Sequence, residues 1–159
     1  MSFDDWILAL HVLSAFAWVA GLVVFWVLVV AVRRADTPDE TVRMEPITKV
    51  GGAATGIGAV GTLLFGLWLA FSVGGYDIWD PWILAALVLW ALAGGLGGRT
   101  GKAYMEGMHK ARELEAAGQS GPNAELLALN RTQNGLVLHT VVSLLTVLIL
   151  IDMIWKPGA

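Results

Sequence analysis

Residues 7–32 read ILALHVLSAFAWVAGLVVFWVLVVAV, an apolar run relieved only by His11 and Ser14 and closed by Arg33-Arg34. A bilayer core about 30 Å thick takes roughly 20 apolar residues in a helix, so this run is long enough to cross one. In hydrocarbon the backbone must satisfy its own hydrogen bonds, which leaves helices or closed barrels, and an apolar run this long is a helix. Three further segments qualify on the same ground. Residues 50–76 carry no charge between Lys49 and Asp77, residues 82–98 lie between Pro81 and Arg99, and residues 132–151 follow Arg131 and end at Asp152. The sequence therefore predicts an all-α integral membrane protein, a four-transmembrane-helix bundle forming one domain over 1–159.

Composition agrees. With 57% hydrophobic and 14% charged residues and a mean hydropathy of +0.69, the chain lies outside the range of soluble domains. It has no cysteine, which excludes disulfides and thiolate metal sites. A net charge of −3 is too small and too mixed for a nucleic-acid partner. The first run follows Asp4 and Asp5, with no basic flank and no small-residue cleavage signal, so it reads as a retained helix.

Loop charges predict direction. Arg33, Arg34, Arg43 and Lys49 join the first two spans, and Arg99, Lys102, Lys110, Arg112 and Arg131 join the last two. The loop holding Asp77, Trp79 and Asp80 has neither Lys nor Arg. The positive-inside rule places both basic loops in the cytoplasm and both termini outside, an orientation suited to a bacterial inner membrane. Trp6, Trp79, Trp82 and Trp155 then fall at the outer ends, where an aromatic belt belongs. Residues 99–131 are expected to carry the third and fourth helices on as a cytoplasmic helical hairpin. Good helix formers fill residues 99–117, and a GQSGP turn follows at 118–122. Tyr104, Met108 and Ala111 are placed to face Leu126, Leu127 and Leu129 across that hairpin, and His109 is expected on its surface.

Small residues crowd the second span: Gly51, Gly52, Gly56, Gly58 and Gly61, with Ala53, Ala54 and Ala59 between them. Gly52/Gly56 and Gly94/Gly98 are GxxxG pairs, and Gly97/Gly101 extends the second. Such pairs let helix backbones approach closely, either within the bundle or across a homodimer or a membrane-protein partner.

An ionisable residue inside a span is a functional candidate. His11, Ser14, Ala15, Trp18, Gly21 and Phe25 share one face of the first helix, and Thr132, His139, Ser143 and Thr146 share one face of the fourth. Each histidine is a candidate first for interhelical hydrogen bonding, then for metal or haem ligation, and after that for proton handling or ligand binding. By span position His11 lies roughly 6 Å below the outer boundary and His139 roughly 10 Å above the inner one, leaving ~14 Å between them in a ~30 Å core. Metal–nitrogen bonds are about 2 Å, so one metal shared by both is disfavoured. Asp152 and Met153 end the fourth helix at the level where the first begins. Imidazole with carboxylate suits a divalent ion, and imidazole with thioether suits copper, which makes His11, Asp152 and Met153 candidate metal ligands. His11, Trp18, His139 and Ser143 are the candidate cofactor contacts. No P-loop, Rossmann fingerprint, serine triad or HExxH pattern occurs.

Residues 8–22, LALHVLSAFAWVAGL, carry the pattern LH, six residues, W, then G. Over nearly its whole length the chain resembles a group of uncharacterised bacterial predicted integral membrane proteins with four helices. The first-helix motif alone is also similar to copper-resistance D proteins and to the membrane protoporphyrinogen oxidase of haem biosynthesis. That likeness implies His11 as the ligand position of a copper or haem site. The chain departs from both. Its Lys102 stands at or beyond the end of the third span, where the oxidase pattern has a lysine within a later helix, and it lacks the richer set of outer His and Met residues of the copper-resistance proteins.

Two functions follow as expectations. One is a histidine-centred metal or haem site used in redox chemistry or metal handling. The other is a non-catalytic accessory subunit packing through its glycine-rich helices.

Overall fold

The structure is a computed structural model that describes residues 2–73 and 76–158. Six helices follow in order: α1 (Phe3–Arg34), α2 (Pro38–Val42), α3 (Glu45–Ser72), α4 (Pro81–Ala116), α5 (Ala124–Asn130) and α6 (Gln133–Trp155), with no strand among the described residues. Four of the helical segments are long and apolar enough to cross a membrane. Their most apolar windows are only 17–33% buried within the protein. Large side chains such as Phe16, Ile57, Phe71 and Ile154 stand 69%, 73%, 72% and 74% exposed. So much outward apolar surface needs hydrocarbon around it, since soluble monomers keep such patches small. The protein is a four-span integral membrane protein.

Helix ends follow local chemistry. Ser2 and Asp5 form a reciprocal capping box at the start of α1, and Thr37 and Glu40 form another at the start of α2. α4 has 36 residues, about 54 Å at 1.5 Å per residue, so it overshoots a ~30 Å core as expected. The expected second span ran to residue 76, but α3 ends at Ser72, and Gly74 and Gly75 of that span lie outside the described residues.

The bundle consists of two tight pairs. α1 packs along α3 and α4 packs along α6, with far fewer contacts between the pairs. The α1–α3 seam is the closest because it is built on glycine. A Cβ added at Gly58 would collide with the backbone of Ser14 and Trp18, and one at Gly21 with the backbone of Thr55 and Gly51. Gly61 faces Ser14, and Gly51 faces Val24 and Phe25. The face of α1 marked out in the sequence is therefore the face that meets α3. Trp18, Leu22, Ala93, Val142 and Ile149 form the core cluster that ties the two pairs together.

Beyond the spans, α2, α5 and the end of α4 form a compact cap. Ala111, Leu114 and Leu126 pack with Val42, and Asn130 Nδ2 donates to Thr41 Oγ1 at 2.9 Å. The expected hairpin contact is present at Ala111 and Leu126, whereas Tyr104 turns instead toward Gly135 at the start of α6. Glu45 bonds Arg112 and Lys49, and those two cations hold its carboxyl down at about 2. Arg131 pairs with Asp36 at 2.6 Å, and Lys110 pairs with Glu125 at 2.9 Å. His109 is exposed, as expected.

The seam makes an asymmetric prediction. Gly58→Ala places a methyl against immovable backbone and is expected to cost about 1–3 kcal/mol, the usual range for overpacking. Gly56→Ala, whose Cβ meets nothing within 4 Å, is expected to leave stability unchanged or slightly raised. Thermal unfolding of both variants in one detergent checks this, and equal midpoints would refute the seam.

Candidate functional site

A cavity of about 710 Å³ lies between the two helix pairs, lined chiefly by apolar side chains from α1, α3, α4 and α6. It lies where the two tight pairs touch each other only sparsely. Its size falls in the range of ligand-binding pockets, roughly 300–1,000 Å³. Trp18, Trp90 and Thr146 line its deeper part, and Asp4, Asp5, Tyr76 and Lys156 mark the end nearest the termini. Thr146 adds little polarity, because its hydroxyl is spent on Val142 O at 2.9 Å. Trp90 Nε1 is likewise spent on Ala59 O at 3.0 Å.

His11 is the histidine of this cavity wall. Its Nδ1 lies 3.0 Å from Thr62 O, a backbone carbonyl of α3. A carbonyl only accepts, so Nδ1 carries the proton and Nε2 of the neutral ring keeps its lone pair. Gly66 makes room for the ring. A Cβ there would lie 2.9 Å from His11 Cε1 and 3.2 Å from Nδ1, so a side chain would push the imidazole aside from this position. The glycine density noted in the sequence stopped at Gly61 and passed over Gly66.

His139 lies apart, outside the cavity lining. It is 2% exposed, its ring centroid is 4.7 Å from that of Trp26 and 6.0 Å from that of Phe25, and its Nε2 has no partner among the described residues. Ser143, a candidate cofactor contact, links helices. It accepts from Trp26 Nε1 at 3.0 Å and donates to His139 O at 2.9 Å. The two histidines thus occupy separate surroundings, in keeping with the depth estimate from sequence. Trp18 lines the cavity with His11.

The candidate metal ligands come together only in part. Met153 lines the same cavity as His11, but Asp152 does not, and its buried Oδ2 has no partner among the described residues. Among the described residues no group of three or more His, Cys, Asp or Glu side chains is placed to hold a metal ion. The donors here do not fit a copper or other divalent site of the type expected from His11, Asp152 and Met153. A second departure concerns the expected aromatic belt. Trp6, Trp79 and Trp155 are 58%, 73% and 71% exposed, whereas Trp82 turns inward onto the cavity at 7%.

Residues 5–157 match the family described as "Predicted integral membrane protein (DUF2269)". The chain belongs to that family. The match covers all four spans and the cavity-lining residues from Asp5 to Lys156, so the site described above is built within the DUF2269 region. No curated protein and no solved structure matches the chain.

Proposed function

We propose that this protein binds a large apolar cofactor between its two helix pairs, with haem held through His11 as the favoured case. The observation that carries the reading is the His11–Thr62 bond at the wall of an apolar cavity. A ligating histidine ordinarily donates its other ring N–H to a carbonyl or carboxylate, which fixes the tautomer and raises ligand basicity. His11 has that arrangement. Trp18, Trp90 and the aliphatic wall would exclude water from the porphyrin faces, and Met153 is the one thioether among the described lining residues. A bound haem would supply one-electron redox chemistry, tuned by its axial ligand and by burial. Protein purified in mild detergent is expected to show a Soret band that His11→Ala abolishes and His139→Phe retains. A colourless preparation that also fails to take up added haem would end this reading.

A membrane orientation with both termini outside, in a bacterial inner membrane, is part of the proposal and is supported by the loop charges. The chain is free of cysteine, so single cysteines at Ser2 and Gln119 report sidedness cleanly. Membrane-impermeant thiol reagents added to intact cells are expected to label the first and spare the second.

A second reading, that of an accessory subunit, is supported by the glycines of α4. A Cβ at Gly94, Gly95, Gly97, Gly98 or Gly101 would meet nothing within 4 Å, unlike the filled seam at Gly58 and Gly61. Close packing of another helix there would give this stripe a use. Gly94→Leu with Gly98→Leu is expected to break any native-membrane complex while leaving the monomer folded, as read by its size in detergent. A complex unchanged by that pair, or no complex at all, counts against the accessory reading.

A further inference from the structure

The end of the cavity nearest the termini gathers more hydrogen-bond donors than the described residues satisfy. Lys156 Nζ donates to Tyr76 Oη at 2.6 Å and lies 4.3 Å and 5.3 Å from the ring centroids of Tyr76 and Trp82. An ammonium has three N–H groups, and among the described residues no carboxylate stands within ion-pair distance of this one. Trp82 is 7% exposed and lines the cavity, yet its Nε1–H has no acceptor among the described residues. A buried donor left unpaired is costly and calls for an explanation. Lys156 is also the only described non-glycine residue with positive φ, at 43°, where its N–H caps α6 on Asp152 O at 2.8 Å. That left-handed turn is a disfavoured conformation for a residue with a Cβ, and it puts the ammonium on the cavity lining.

We propose that this mouth binds the carboxylate of an acidic amphiphile whose apolar body fills the cavity toward His11. The acceptor oxygens would take the free N–H groups of Lys156 and the orphaned Nε1–H of Trp82 in charge-assisted hydrogen bonds. Along α6 the lining runs from Thr146 to Lys156, about 15 Å at 1.5 Å per residue, enough for a long apolar body. Asp4 and Asp5 line the same cavity from the first turn of α1. Asp5 Oδ2 is already engaged by the Ser2 N–H at 2.6 Å. Asp4 opposes the ligand's charge, so Asp4→Asn is expected to tighten binding. The proposal rests on the cavity being a ligand site, but not on haem being the ligand. A fatty acid and the propionates of a haem offer the same carboxylate.

The test compares acids with their esters on the full chain in detergent, read by quenching of tryptophan fluorescence. Palmitate is set against methyl palmitate, and haemin against haemin dimethyl ester. At least one acid is expected to bind about ten-fold or more tighter than its ester, the scale of a charged hydrogen bond. Whichever pair shows the preference identifies the source. Lys156→Gln is expected to erase it, Lys156→Arg to keep it, and Trp82→Phe to weaken it a few-fold. Equal binding of acid and ester to the parent, as bulk lipid would give, overturns the proposal. So does a preference that survives Lys156→Gln, or no binding of any of the four. The haem reading fails separately. A parent that takes up no haem yet binds palmitate in a Lys156-dependent way removes haem and keeps the carboxylate site. A parent with a His11-dependent Soret band and no preference in either pair does the reverse.

Discussion

The approach of α1 to α3 is the constraint on which the rest of this protein depends. Inside a bilayer there is no water to drive helices together, so association rests on van der Waals contact and a few hydrogen bonds. Gly21, Gly58 and Gly61 remove the side chains that would hold the two backbones apart. Once they are that close, an imidazole on α1 reaches a carbonyl on α3, and the missing Cβ of Gly66 leaves room for the ring beside it. A carbonyl only accepts, so that contact puts the proton of His11 on Nδ1.

The same tightness shapes the cavity. α4 and α6 make their own pair, and the pairs meet through one cluster around Trp18, Ala93 and Val142. Two rigid pairs joined along a limited seam leave a gap on the side of the seam toward the termini. The gap is apolar because the hydroxyls nearby are turned back on their own helices. Thr62 bonds Gly58 O at 2.8 Å, and Thr146 bonds Val142 O at 2.9 Å. This i−4 back-bonding is how Ser and Thr are carried inside apolar helices. Against that background Nε1 of Trp82 and the ammonium of Lys156 stand out, since each has hydrogen-bonding capacity at the cavity lining that the described residues do not use.

Sequence periodicity identified the inward face of α1 residue by residue, because a stripe of small and polar side chains in a helix otherwise made of Leu, Val and Phe has few other uses. The separation of His11 from His139 was legible too, since residue rise and span boundaries bound their depths. Asp152 was misplaced for a simple reason. It shares a level with His11, and level is what rise per residue measures, but the direction in which a side chain points around the bundle is not. Trp82 was assigned to the lipid interface on the same ground and turns inward.

By itself the sequence determined that this chain crosses a membrane four times as helices, because run length and hydropathy are properties of a segment and need no neighbour. It determined as well which faces of α1 and α6 carry polar groups, because 3.6 residues per turn is a local rule. Only the tertiary structure decided that α1 pairs with α3 and α4 with α6, that His11 meets Thr62 across residues 51 apart in the chain, and that Lys156 closes on Tyr76 from 80 residues away. Those pairings arise from the fit of one helix surface against another, and no single segment encodes the surface it will meet.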